Sequence, residues 1–169
     1  MNNIFFIGPM GSGKSTIGRQ LAKKLERDFY DSDKEIEDKT GVNIALIFEI
    51  EGEEGFRARE SKMLAKLVEK QNSVIATGGG IVLAEENRKL LKDNGLVVYL
   101  RSSAEKLYER TRKDRNRPLL NTDDRLKTIK ELMAERKELY EGLADMIIDT
   151  ENQSIRKIQE KIVAALEIE

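Results

Sequence analysis

Residues 8–15 read GPMGSGKS, directly after the apolar run Ile4-Phe5-Phe6-Ile7 and directly before an amphipathic helical stretch. This is the G-x-x-x-x-G-K-[ST] pattern of a P-loop, in the strand–loop–helix context that gives it meaning. Glycines at 8, 11 and 13 let the backbone curl so that several N–H groups converge on one anion. The following helix adds the positive end of its dipole. Lys14 would bring a point charge to β- and γ-phosphates, and Ser15 a hydroxyl oxygen to Mg²⁺. The plain alternative is a glycine-rich turn that caps a helix and binds nothing. Position after a strand at the chain start favours a nucleoside triphosphate.

Three further groups of residues could carry chemistry. Asp31-Ser32-Asp33 follows a strand, and two acids beside a triphosphate suit Mg²⁺ or a substrate hydroxyl. The alternative is an ordinary turn, with Asp33 capping a helix over 34–39. Thr77-Gly78-Gly79-Gly80 follows the next strand, where many P-loop enzymes carry a Walker-B aspartate. Three glycines in a row let a ligand touch bare backbone, and Asp31 becomes the better candidate to support a metal through water. Arg136 lies on the inward stripe Leu126, Ile129, Met133, Arg136, Tyr140, Leu143, and Arg57 shares a face with Leu64 and Val68. An inward guanidinium without an anion costs several kcal/mol, so each requires one. For Arg57 an internal salt bridge with Glu60 is the competing explanation; two such arginines together suit a carboxylate or phosphate on a second ligand. Finally, RTRKDRNR over 110–117 holds five cations in eight residues. A solvated face or a nucleic-acid patch would explain such a run, but Arg117 before Pro118-Leu119-Leu120 suggests a segment that folds over a triphosphate.

The frame that must hold these residues is an α/β one. Strand-like runs at Asn3–Ile7, Asp28–Tyr30, Val74–Ala76, Val97–Leu100 and Met146–Ile148 alternate with helical periods, which implies a parallel sheet covered on both faces. Ligands of such sheets sit beyond the carboxyl ends of the strands. Residues 33–71 hold two or three helical segments, more than one crossover requires, and 112–124 form a charged, Pro-containing loop between helices. The 169 residues read as one domain. Hydrophobic residues make up 39% and charged residues 36%, a globular composition. No apolar run approaches bilayer length. Because the P-loop opens at residue 8, no targeting peptide is expected, and a chain without cysteine fits a reducing cytoplasm. His, Cys and Trp are all absent, which excludes disulfides, Cys/His metal sites and His-assisted nucleophilic triads. A net charge of −1 argues against a general nucleic-acid surface.

The ordered set GPMGSGKST (8–16), DSD (31–33), GFRARE (55–60), TGGG (77–80), RPLL (117–120) and LMAERKELY (132–140) closely resembles the shikimate kinases over nearly the whole chain. The resemblance implies a three-layer P-loop NTPase fold of the nucleoside-monophosphate-kinase-like branch, with strand order 2-3-1-4-5. It implies a cytoplasmic monomer with one shikimate kinase domain over 1–169, in which 33–71 is a substrate-binding insertion and 112–124 a lid. The implied reaction is phosphorylation of the 3-hydroxyl of shikimate by ATP with one Mg²⁺, a step toward chorismate and aromatic amino acids. By motif, Gly11, Ser12, Gly13, Lys14, Ser15 and Thr16 would hold the phosphates, Ser15 would bind Mg²⁺ directly, and Asp31 would assist it through water. Asp33 would grip the shikimate hydroxyls and accept a proton, and Arg57 and Arg136 would clamp the carboxylate. Gly78, Gly79 and Gly80 would line the ring, and Arg117 would be the lid arginine. Arg110 and Gln153 would meet the adenine. Small-molecule substrates alone are implied, with no nucleic-acid or membrane partner.

Rival readings make distinct predictions. A gluconate or nucleoside-monophosphate kinase would use the same frame with another acceptor. A GTP-dependent switch would use Asp38-Lys39-Thr40-Gly41 as its D-x-x-G, although no N/T-K-x-D guanine-reading motif follows. A nucleic-acid binder would show steeply salt-dependent affinity through 110–117.

Overall fold

Every residue of β1 (Asn3–Ile7) is buried, because this strand lies in the middle of the sheet and is covered on both sides. The computed structural model describes residues 2–167. Strands β1, β2 (Asp28–Asp31), β3 (Ser73–Ala76), β4 (Gly95–Arg101) and β5 (Met146–Asp149) form one parallel sheet ordered β2-β3-β1-β4-β5. The order matches the expectation. The strands run slightly past their apolar cores, since backbone pairing continues where side-chain hydrophobicity stops: Asn3 pairs with Gly95 and Arg101 with Asp149.

Alternation along β1 divides its side chains between two cores. Ile4 and Phe6 pack with Ile17 and Leu21 of α1 (Lys14–Leu25) and Ile158 and Ile162 of α7 (Ile155–Leu166). Phe5 and Ile7 pack with residues of α2 (Ser32–Thr40), α3 (Ile44–Leu67), α4 (Glu85–Asn94) and α6 (Arg125–Leu143). A smaller cluster of Ala104, Leu107, Leu120 and Ile129 ties α5 (Ala104–Thr111) to α6 beneath the connection 112–124. The result is helix–sheet–helix, with the strand ends opening on one rim.

Local signals explain the boundaries near that rim. Asp31, not Asp33, caps α2: its carboxylate accepts from the backbone N–H groups of Asp33 (3.1 Å) and Lys34 (3.2 Å). The strand therefore ends one residue later than its apolar run, and Asp33 falls in the first helical turn. Gly41 closes α2 with φ 76°, and Asp38 pairs with Lys34 at 3.1 Å. The D-x-x-G match is thus a helix C-terminus with a glycine cap. Gly52, at φ 72°, kinks α3, so 33–71 contains three helical pieces as expected. Among the described residues no helix is long and apolar enough to cross a membrane.

Candidate active site

A cleft of about 730 Å³ opens at the carboxyl ends of the strands, and it is lined by every site residue named from the sequence, from Gly11 to Gln153. Its floor at one end is the loop between β1 and α1. Gly11 and Gly13 take positive φ (80° and 97°), and Gly13 caps α1 without a side chain. Backbone N–H groups at the helix start therefore face the cleft with nothing of the loop's own to bind them, which makes an anion cradle. Lys14 is buried and donates from Nζ to the carbonyls of Gly8 (2.6 Å) and Pro9 (2.9 Å). Ser15 Oγ donates to Asp31 Oδ2. These two hard oxygens, at the edge of the cradle, are the donor chemistry that Mg²⁺ prefers, and Mg²⁺ needs few protein ligands when phosphates and water complete its shell.

The opposite end is built from β2, α2, α3, β3 and α6. Asp33 and Asp31 converge there, Asp33 in the first turn of α2 and Asp31 as the residue that caps it. Arg136 is 3% exposed, and its Nε has no hydrogen-bond partner. Among the described residues it forms no ion pair. Arg57 differs: Nη1 donates to Glu60 (3.0 Å) and Nη2 to Glu53 (3.3 Å). The internal salt bridge weighed for Arg57 is real, yet its Nε remains buried and unpartnered, as does Oε2 of Glu60. Five of the six buried polar side-chain atoms left without a partner among the described residues (on Ser12, Asp33, Arg57, Glu60 and Arg136) line this one cleft. Such atoms are costly unless something else satisfies them.

The glycine run is explained by close approach. A Cβ at Gly78 would lie 2.8 Å from Glu60 Oε2 and 2.9 Å from Asp33 Oδ1, and one at Gly80 would fall on the Arg57 guanidinium. Tyr140 Oη donates to the Gly79 carbonyl, and burial pushes its phenol up to about 12, so the donor keeps its proton. Gly80→Ala is expected to displace the flexible end of Arg57 and leave the backbone in place. If Arg57 serves a carboxylate on a second ligand, the KM for that ligand should rise about 10- to 100-fold, with the KM for nucleotide and the melting temperature nearly unchanged. Steady-state kinetics with each substrate varied in turn checks this.

Burial, then the charge of Glu60 and then that of Asp31, push the Asp33 carboxyl up to about 7, against the pull of Lys14 and Arg117. Burial and then the Arg117 charge lower Lys14 to about 7, against the two aspartates. Because the folded value for Asp33 exceeds the ordinary 3.8, the native state holds more protons than the unfolded chain between those values. Its contribution to stability is complete below pH 3.8 and is lost as pH rises through about 7. Asp33→Asn removes that loss. Thermal unfolding of the variant without ligands should match the parent near pH 4 and exceed it clearly at pH 8, with the gap opening between those values. An equal difference at both pH values would contradict the assignment.

On the third side stands the connection 112–124, with a 3-10 turn at Pro118–Leu120. Arg117 lines the cleft, and its Nε donates to Asp114 Oδ2 at 2.9 Å. Arg110 donates to the carbonyl of Gly11 at 2.9 Å, beside the anion cradle, so the basic run is partly turned inward. Gln153 lies in the turn after β5; it donates to the Asp149 carbonyl and accepts from Lys161 at 2.6 Å. Sequence reasoning missed Asp114, Asn116, Arg125 and the contact of Tyr140 with Gly79. Only the Asp-x-x-Arg spacing of 114 and 117 carried a signal, because i and i+3 meet in a tight turn.

A family model described as shikimate kinase matches residues 10–167. The shikimate kinase of Nitrosococcus oceani is 54% identical over 164 residues, covering 97% of this chain and 86% of the relative. That of Thioalkalivibrio sulfidiphilus is 56% identical over 161 residues, covering 95% and 85%. The solved shikimate kinase from Acinetobacter baumannii, in complex with shikimate, superposes with a TM-score of 0.95 at 44% identity, covering 98% of this chain and 93% of its own. A gluconokinase from Sinorhizobium meliloti, at 14% identity and a TM-score of 0.59, shares the fold alone.

Proposed function

From the premise that this chain belongs to the shikimate kinase family, an enzyme family of small-molecule P-loop kinases, we propose that it transfers the γ-phosphoryl group of ATP to the 3-hydroxyl of shikimate. The products are shikimate 3-phosphate and ADP. The observation that carries this is the cleft in which an anion cradle faces two guanidinium groups, buried at Arg136 and half-buried at Arg57, each with a buried and unpartnered Nε. One end is suited to a polyphosphate and the other to a carboxylate, because arginine matches planar anions.

In this reading the backbone amides of Gly11–Thr16 and Lys14 hold the phosphates; Ser15 would hold Mg²⁺ directly and Asp31 through water, and the ion when bound would neutralise charge on the phosphates. Arg57 and Arg136 clamp the shikimate carboxylate, Gly78–Gly80 line its ring, and Arg110 and Gln153 meet the adenine. Asp33 orients the acceptor hydroxyl. The hydroxyl oxygen attacks the γ-phosphorus in line as the bond to the β–γ bridging oxygen breaks. The hydroxyl proton passes to the Asp33 carboxylate, whose value near 7 suits a base at neutral pH. Arg117, carried by the lid 112–124, offsets charge on the transferring group, and catalysis rests on positioning and electrostatics. We further propose a single cytoplasmic domain, acting as a monomer in chorismate formation, with 33–71 as the acceptor-binding insertion.

A coupled ADP-release assay tests this. Shikimate should support MgATP turnover, while gluconate and nucleoside monophosphates should not. Turnover with gluconate and none with shikimate would overturn the reading. Phosphorus NMR of the product, coupled to its ring proton, identifies the oxygen phosphorylated.

A further inference from the structure

We infer that Asp114 is a positioning residue that aims the Arg117 guanidinium into the cleft. The inference rests on the reading of Arg117 as the lid arginine. Arginine has five N–H donors, and Asp114 engages only Nε, at 2.9 Å. Two other carboxylates of this protein take arginine side-on at two points, whereas Glu160 meets Arg156 through Nε alone, as Asp114 does here. Asp149 accepts from Nε (2.7 Å) and Nη2 (2.9 Å) of Arg101, and Glu51 accepts from Nε (2.6 Å) and Nη2 (2.8 Å) of Arg59. Those contacts neutralise the fork. The single contact at Asp114 fixes the rotation and plane of the Arg117 guanidinium and leaves Nη1 and Nη2 for the two oxygens of a phosphoryl group. The Arg117 charge already acts on Lys14 and Asp33 across the cleft.

Asp114 is itself held on three sides. Its Oδ1 accepts from the Asn116 N–H at 2.9 Å, its own N–H donates to the Thr111 carbonyl at 2.9 Å, and its carbonyl accepts from Arg125 Nη2 at 2.8 Å. Arg125 also donates to the carbonyls of Thr111 and Leu120 (3.1 Å to the latter) and to Asn121 Oδ1 at 3.2 Å. One guanidinium thus ties both ends of the connection 112–124, so Asp114 sits on a shaped segment. At the tip, Asn116 Oδ1 accepts from the Ala45 N–H at 3.3 Å, which sets the segment against the start of α3. A side chain oriented before the reaction loses less freedom when the phosphoryl group arrives. Asp114 and Arg117 are each 35% exposed, so their pairing adds little to stability and its kinetic effect can be read separately.

The test compares Asp114→Ala and Asp114→Asn in the full chain, alone and with Arg117→Ala. Asparagine keeps one oxygen to accept from Nε, giving up the contact with the Asn116 N–H; alanine keeps neither. We expect Asp114→Ala to lower kcat by about 10- to 100-fold, and Asp114→Asn to recover most of that loss. The KM for shikimate and the melting temperature should stay near the parent values. In the Arg117→Ala background, Asp114→Ala should cost nothing further. Unchanged or faster turnover of Asp114→Ala would overturn the inference, as would an equal loss with and without Arg117. If Arg117→Ala alone leaves turnover intact, it is the lid reading that falls.

Discussion

Arg117→Ala is expected to lower turnover by roughly 10³ or more, while shikimate affinity stays nearly unchanged. The asymmetry follows from where Arg117 stands. It lines the cleft from the connection 112–124, and neither α3 nor α6, which carry the other two arginines, supplies it. In the proposed role its guanidinium would meet charge that grows on the γ-phosphoryl oxygens as the bridging bond breaks, so most of its contribution would appear in the transition state. An interaction of that kind lowers kcat and kcat/KM together when removed. Lysine at 117 should restore part of the rate, because it returns charge without the fork. Single-turnover kinetics with saturating MgATP separates the chemical step from product release. A variant with an intact chemical step would show that Arg117 does not act on the phosphoryl group.

Arg136→Ala is expected to weaken shikimate binding by about 2–5 kcal/mol, with nucleotide affinity nearly unchanged. Arg136 is 3% exposed, its Nε lacks a partner, and among the described residues it makes no ion pair. In the proposed clamp, truncation would leave the ligand carboxylate with Arg57 alone beside Glu60, a buried acid whose carboxyl is raised by burial. The penalty is therefore larger than the loss of one hydrogen bond. Arg57→Ala should cost less, because Arg57 is shared with Glu60 and Glu53 before any ligand arrives. Calorimetric titration of shikimate into each variant orders the two arginines. A loss confined to ATP binding in Arg136→Ala would contradict the clamp.

Much of the cleft was legible in the chain because its parts are local. A P-loop needs contiguous glycines, a lysine and a hydroxyl, all within one turn, and their spacing alone specifies the cradle. Arg136 stood out because a 3.6-residue period puts it among Ile129, Tyr140 and Leu143, where a charge has no ordinary reason to be. Other features are pairings across the fold, which no local spacing encodes. The Tyr140 hydroxyl meets the Gly79 carbonyl, 61 residues away. Arg125 looked like any other cation in a charged stretch, and only the folded connection brings four acceptors around it. The cap of α2 was misassigned by two residues, since strand end and helix start compete for the same aspartates and pairing with β3 decides between them.

What the amino-acid order determined by itself was the alternating α/β frame, the phosphate cradle and the identity of the charged groups that seek an anion, because periodicity and motif spacing are properties of neighbouring residues. What only the tertiary structure decided was how those groups are shared. Arg57 is drawn to Glu60 while Arg136 makes no ion pair among the described residues, Asp33 is raised by burial and by acids from two other elements, and Arg117 is held by one nitrogen alone. Charge partnership depends on distance through space and on exclusion of water, and both exist only once the chain has packed.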